Sequence, residues 1–254
     1  MRAVLALDTA TEACSAALLR GDEVIGRFSE GGLSHARRII GMVDAVLEEA
    51  GMTLSMLDGI AASIGPGAFT GVRISVAVAQ GLAFGAGLPV VPVTTLEALA
   101  SKIVSGAGVG ALACLDARMG EVYWGCFAAD ARRGLVATGA ARVGPPASVA
   151  LPGSVALPGS AALPGSAAPP ANGVSPATDV YRGIGRGFTA YPSLAALPGL
   201  QFDPLDGQAL PDAREFARLG ALRLGLGEGL DPADLSPLYL RDKVALTEAE
   251  RGVK

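Results

Sequence analysis

The segment Gly65–Gly85, GPGAFTGVRISVAVAQGLAFG, constrains this fold most, because it joins a glycine-rich turn to a helix with almost no polar face. The turn Gly65-Pro66-Gly67-Ala68-Phe69-Thr70-Gly71 follows the apolar run Ile60 to Ile64, a strand-to-helix arrangement that can aim backbone N–H groups at an anion. Two readings stand: an anion cradle, or a tight corner that the glycines and the proline make for steric reasons. No lysine closes the loop, so the Gly-x-x-x-x-Gly-Lys-Ser/Thr phosphate signature is missing. Between Val72 and Phe84 only Arg73, Ser75 and Gln80 are polar, and the spacing of Arg73 and Gln80 puts them on one narrow stripe. Such a helix is covered on more than one side. Ser75, Ala79 and Ala83, each a helical turn from the next, allow a second backbone to approach, from the chain's own sheet or from a partner.

Upstream, Ala3 to Leu7 and Cys14 to Leu19 read as strands joined through Asp8-Thr9-Ala10-Thr11, and Arg20-Gly21-Asp22 reverses the chain into Glu23 to Phe28. Ser34 is an N-cap candidate for a helix to Ala50, with Ala36, Ile39, Ile40, Val43, Val46, Leu47 and Ala50 at helical spacing, Met42 widening the stripe and Gly51 as the stop. Leu54 to Leu57 is a short turn, Pro89 to Val93 a fifth strand and Leu96 to Val104 a helix. The order βββαβα with a return strand predicts an α/β chain of the actin-like, hexokinase-like class (ASKHA, ribonuclease H-like), in two lobes of mixed sheets flanked by helices. The first lobe is expected over 1–105 and the second over 106–254. The second opens the same way, with Ala111 to Leu115 ending in Asp116-Ala117-Arg118, then Glu121 to Ala128 and Leu135 to Val143.

From Pro145 to about Thr178 the sequence turns to Ala, Pro, Gly and Ser, and Ala-Leu-Pro-Gly-Ser recurs at six-residue steps. Repeated Pro-Gly supports neither a helix nor a central strand, so this insert reads as an expanded loop without a role of its own. Beyond it, Arg182 to Gly187 reads as a glycine turn, Ala213 to Leu226 as a helix and Pro237 to Lys243 as an amphipathic end. At 254 residues and 50% hydrophobic, the chain can fill two ordinary cores. Arg73, Gln80 and Pro89 interrupt its most apolar window, and Asp8 stops the N-terminal apolar run, which argues against a membrane span or signal peptide and for the cytoplasm. Cys14, Cys114 and Cys126 form no Cys-x-x-Cys pair and read as buried thiols. A net charge of −4 without a basic run argues against independent nucleic-acid binding.

The stretches LALDTATEACSAALL (Leu5 to Leu19), SIGPGAFTGVRISVAVAQGLAFGAGLPVVPVTTLEALA (Ser63 to Ala100), LDARMGEVYWGCF (Leu115 to Phe127) and PLYLRDKVALT (Pro237 to Thr247) resemble the bacterial TsaB (YeaZ) family. This resemblance covers most of the chain outside the insert. It implies a non-catalytic subunit of the complex that makes threonylcarbamoyladenosine at position 37 of certain tRNAs. The implied partners are a TsaD-type catalytic paralogue and a TsaE-type ATPase, with a homodimer when alone and tRNA contacted only indirectly. TsaD-type enzymes hold a metal through a His-x-x-x-His pair, and the matching positions here are Thr95 and Leu99, so no metal and no required cofactor is expected. The expected interface uses Ile39, Met42, Val43, Val46, Ile74, Val78 and Leu82 on the two first-lobe helices, whose apolar surface exceeds what one small sheet needs.

Vestigial nucleotide contact is assigned to Asp8, Thr9, Thr11, Gly65, Gly67, Thr70 and Asp116, with weak ATP or ADP binding at a subunit interface. Phosphate turns in this fold pair aspartate with glycine. Here Asp8 is followed by Ala10 and Asp116 by Ala117 and Arg118, so polar strand ends and residual nucleotide contact both remain open. His35, the single histidine, reads as a surface or capping residue. Neither Ser34-His35 nor Glu48-Glu49 has the context of a catalytic group. The alternative is an ATP-dependent small-molecule kinase or ATPase of the same fold.

Overall fold

The computed structural model describes residues 2–31, 35–104, 106, 108–152, 161–162 and 178–241. The first lobe is built on a five-stranded sheet of β1 (Ala3–Asp8), β2 (Ala13–Arg20), β3 (Glu23–Glu30), β4 (Gly59–Ser63) and β5 (Val90–Val93), in the order β3-β2-β1-β4-β5. The opening strands pair antiparallel, and β4 and β5 then add parallel through helical crossovers. Helices α1 (His35–Ala50) and α2 (Phe69–Ala86) cover one face. The period-2 alternation of β1 and β2 decides which residues meet them: Leu5, Leu7, Cys14, Ala16 and Leu18 pack under α1 and α2, while Val4, Ala6, Ala17 and Leu19 point the other way. Ser34, the expected N-cap, lies outside the described residues.

The second sheet contains β6 (Gly108–Arg118), β7 (Glu121–Asp130), β8 (Gly134–Ala137), β9 (Arg142–Gly144), β10 (Ala161–Ala162), β11 (Thr178–Ile184) and β12 (Leu200–Phe202). It repeats the first lobe's plan, with an antiparallel hairpin β6–β7 followed by strands added parallel beside β6. Between the two sheets lie α3 (Thr95–Ser101) and, later in the chain, α5 (Ala213–Gly225); a short α4 (Gly187–Ala190) covers the far side of the second sheet. The result is the two-lobe, actin-like α/β architecture.

The structure changes several sequence expectations. The helix after β5 ends at Ser101 rather than Val104, its last turn tightened by N–H bonds from Lys102 and Ile103 to carbonyls three residues back. Leu135 to Val143 divides into β8 and the start of β9. Arg182 to Ile184 belong to β11, so the second glycine turn is only Gly185-Arg186-Gly187. The span 106–254 does not stay with the second lobe, because α5 lies along the first sheet, where Gly220 packs on Ala61 and the Ala213 N–H donates to Ser15 Oγ at 2.9 Å. Within the insert, Val149 is buried against the second sheet and Ala161–Ala162 pair with β9 at its edge; 153–160 and 163–177 lie outside the described residues.

One buried ion pair ties the middle layer together. Thr94 and Glu97 form a reciprocal capping box at the start of α3, and Arg223 of α5 donates to Glu97 at 2.5 Å. Burial opposes the charge on Glu97, yet the Arg223 guanidinium and the Thr94 donors hold its carboxyl below the usual carboxylate range. All three cysteines are buried and reduced, and desolvation pushes their thiols up, Cys14 to about 11 and Cys126 to about 12.

Candidate functional site

The glycine loop of the first lobe is closed onto its own sheet. The Ala68 N–H donates to Ala10 O at 2.7 Å, and Thr9 Oγ1 donates to Gly71 O at 2.6 Å. A Cβ on Gly67 would lie 2.1 Å from Ala10 O, and one on Gly71 would lie 2.1 Å from Thr9 O, so both glycines are required by backbone-to-backbone packing. Of the two readings of this loop, the tight corner accounts for these contacts. Asp8 ends β1 beneath it, fully buried; Oδ1 accepts the Ala10 N–H at 2.9 Å and Oδ2 has no hydrogen-bond partner among the described residues. Desolvation raises its pKa to about 6, against the lowering effects of the Ala10 N–H, Ser63 and His35.

The equivalent turn of the second lobe stays open. Asp116 Oδ1 accepts the Arg118 N–H at 2.8 Å, and its other oxygen pairs with the Arg118 guanidinium at 3.0 Å. Arg118 and Met119 both take left-handed backbone, at φ 63° and 56°. This turn forms one side of a cleft of about 610 Å³ between the lobes. Ala10, Thr11, Glu12 and the start of α2 line it from the first lobe; Leu115 to Arg118, Tyr123, Arg186 and Thr189 line it from the second.

The segment Leu238 to Arg241 forms the remaining wall. Leu238 donates its N–H to Ile64 O at 2.8 Å, extending the line of β4, and Leu240 is buried in the layer between the sheets. Tyr239 packs on Phe69 with ring centres 5.6 Å apart and accepts from Arg73 Nε at 2.7 Å. Arg241 pairs with Glu121 of the second lobe. Arg186 adds a second bridge, to Glu12 at 2.8 Å and Glu30 at 2.6 Å on the first lobe.

Of the residues assigned to nucleotide contact, the cleft therefore gathers Thr11, Gly67 and Asp116. Asp8, Thr9 and Gly65 are sealed in the fold, and Thr70, though exposed, lies outside the lining. Sequence reading missed Arg118, Tyr123, Arg186 and Leu238 to Arg241 as a group, since they come from separated segments; the amphipathic pattern at Pro237 was the one signal the sequence held. Thr95 and Leu99 are both buried, Thr95 facing Ser63 at 3.4 Å and Leu99 in the core. Among the described residues no cluster of His, Cys, Asp and Glu could hold a metal ion. His35 Nδ1 lies 3.3 Å from Thr9 O, and Glu49 pairs with Arg27.

The helical face expected to meet a partner needs correction. Ile39, Val43 and Val46 are fully buried, because the i, i+4, i+7 spacing that made them conspicuous marks the face turned to α1's own sheet. Ser75, Ala79 and Ala83 likewise admit that sheet, with Ser75 Oγ bonded to Leu7 O at 3.3 Å. Met42, Ile74, Val78 and Leu82 are half-buried at the margin, and the residues that stand clear are Ile40 at 43% and Phe84 at 60% exposure. Helix α2 is long and apolar enough by composition to cross a membrane, but it is packed along the sheet, and Gln80 donates to Pro232 O and Leu235 O.

The family described as TsaD, tRNA N6-adenosine threonylcarbamoyltransferase, matches residues 30–148. The chain is 46% identical over 124 residues to "tRNA threonylcarbamoyladenosine biosynthesis protein TsaB" of Haemophilus influenzae, covering 48% of this chain and 52% of that protein. It is 45% identical over 128 residues to the protein of the same name in Escherichia coli K12, covering 50% and 55%. In both, the match spans about half the length of the curated relative. A solved structure of YeaZ from Pseudomonas aeruginosa superposes with a TM-score of 0.77 at 36% identity, across 94% of this chain and all of that one. Another, at the same TM-score and identity, is described as an uncharacterized Pseudomonas aeruginosa protein with similarity to peptidase YEAZ.

Proposed function

The chain belongs to the TsaB (YeaZ) family, and from that premise we propose that it is a non-catalytic scaffolding subunit in the biosynthesis of threonylcarbamoyladenosine in tRNA. It binds and stabilises a TsaD-type catalytic paralogue, with a TsaE-type ATPase as third partner, self-association when alone, tRNA reached through the complex, and a cytoplasmic location. The observation that carries this reading is the state of the two aspartate turns. Ala10 N–H and Arg118 N–H are each taken by the aspartate of their own turn, and Ala68 N–H by Ala10 O, so each turn has a backbone donor withdrawn from a nucleotide phosphate. Donors withdrawn in this way suit a chain that presents surfaces better than one that transfers phosphoryl groups.

The surface in this reading is the outer side of α1 and α2, which carries the exposed Ile40 and Phe84 together with the half-buried Met42, Ile74, Val78 and Leu82. Ile40→Glu and Phe84→Glu alter exposed side chains and leave the core intact, unlike changes at Ile39, Val43 or Val46. Each is expected to weaken co-purification with the TsaD-type paralogue at least about tenfold, a loss of roughly 1.4 kcal/mol. Full retention of the partner by the double variant would remove the interface. The runner-up, an ATP-dependent kinase or ATPase, draws on the interlobe cleft. Calorimetry with Mg-ATP separates the two, since tight binding by the isolated chain would favour the enzyme.

A further inference from the structure

We propose that Asp8 is a proton-held lock on the first-lobe wall of the interlobe cleft: while its carboxyl keeps a proton the turn Thr9-Ala10-Thr11 stays sealed under the glycine loop, and loss of the proton lets that turn lift toward the cleft. Asp8 ends β1 fully buried, beside Ser15 of β2. Its Oδ1 accepts one N–H, from Ala10, and Oδ2 has no partner among the described residues. A neutral carboxyl in that setting is a polar group short of one bond. A carboxylate there is a charge out of water with a single donor, which costs far more. Glu97 is as deeply buried and keeps its charge because Arg223 meets it; among the described residues Asp8 has no ion pair.

The groups packed around Asp8 do not supply the missing partner. His35 at the start of α1 favours the carboxylate, whereas Asp212, ahead of α5 and paired with Arg214, opposes it. From β2 come the Cys14 thiol, faced in turn by Arg38 of α1, and Ser15, whose Oγ already accepts the Ala213 N–H. From β4 comes Ser63, which favours the carboxylate but makes no bond to Oδ2, with Thr95 of α3 3.4 Å from it. The glycine loop, Gly65 to Gly71, carries no ionisable side chain. Desolvation therefore prevails and raises the carboxyl to about 6.

The way to water leads through the turn. Strands β2 and β4 flank Asp8 in the sheet, whereas its cover is held by the Ala68 N–H on Ala10 O and by Thr9 Oγ1 on Gly71 O. Ala10, Thr11 and Glu12 already line the cleft, so a local opening gives up two hydrogen bonds without unfolding the lobe. Glu12 is bridged by Arg186 of the second lobe at 2.8 Å, and lifting the turn couples the proton to that tie across the cleft. The sealed form holds the proton more tightly than an opened one whose carboxyl meets water, so the seal is firm at low pH and weakens as pH rises through about 6.

The lock acts in the cleft rather than on the outer side of α1 and α2, so it stands or fails independently of the scaffolding interface. The test is native-state hydrogen exchange by NMR on the full chain, with the Ala10 and Ala68 amides compared with those of β6 and β7 in the same sample. Between pH 5 and pH 7.5 the protection factors at Ala10 and Ala68 are expected to fall about tenfold relative to β6 and β7. That relative fall is expected to vanish in Asp8→Asn and to persist in His35→Gln. A relative fall below about threefold in the parent, its survival in Asp8→Asn, or its loss in His35→Gln would each overturn the proposal.

Discussion

The two lobes open with the same device, a strand that ends in aspartate and turns back on itself, and they use it in opposite ways. At Asp8 the aspartate and Thr9 are buried under the glycine loop and only Ala10 to Glu12 reach the cleft; at Asp116 the aspartate itself lines that cleft. The difference comes from segments later in the chain. After β4 the segment Gly65–Gly71 crosses over the first turn and bonds to Thr9 and Ala10, whereas the glycines after β11 press on the strand behind the second turn, Gly185 against Cys114 O. A shared sequence pattern therefore fixes a turn but leaves its exposure to a remote segment.

The largest effect expected from this contrast falls on the seal. Gly71→Ala would drive a methyl group to 2.1 Å from the Thr9 carbonyl, and neither backbone can yield cheaply. Urea unfolding is expected to show a loss of about 3 kcal/mol or more, and a loss below about 1 kcal/mol would mean the loop does not close on the turn.

Asp8 comes next. Its folded pKa of about 6 lies above its ordinary 3.8, so the folded state holds the proton more tightly than the unfolded one. The resulting stabilisation is complete below pH 4 and is lost as pH rises through 6, by roughly 3 kcal/mol at most. Asp8→Asn removes that slope. Between pH 4 and pH 7 the stability of the parent should fall relative to the variant by roughly 2–3 kcal/mol, and parallel curves would show that Asp8 is not desolvated. Glu97 works in the opposite sense, because its carboxyl is held down and its contribution is lost on acidification.

At the open turn the effects are small. Met119→Asn suits left-handed backbone better and is expected to raise stability by about 0.5–1 kcal/mol, seen as a higher urea midpoint. Asp116→Asn keeps an oxygen for the Arg118 N–H and loses only a pair with a largely exposed guanidinium. A change beyond about 0.5 kcal/mol would show the second turn to be sealed as well.

Much of the fold was legible because short-range pattern determines it. Alternation placed β1 and β2, Gly21 and Gly51 marked reversals, and the βββαβα order implied the lobes. The parts that were not legible depended on contacts across long stretches of sequence. Helix α5 could be read from Ala213 onward, but nothing local says that it returns to the first sheet. Ile39, Val43 and Val46 looked like an interface because the same apolar spacing serves a core or a partner, and only packing separates them. The cleft illustrates the point most fully: Thr11, Gly67 and Asp116 carried a motif, while Arg186 and Tyr239 became part of the site only through folding.

The measurement that tests the central account most directly is the threonylcarbamoyladenosine content of bulk tRNA from cells depleted of this protein and supplied with one of two variants. Scaffolding predicts that Ile40→Glu/Phe84→Glu leaves the modification depleted and that Asp8→Asn restores it to the parental level. Restoration by the surface variant together with loss in Asp8→Asn would contradict the account and place chemistry in this chain.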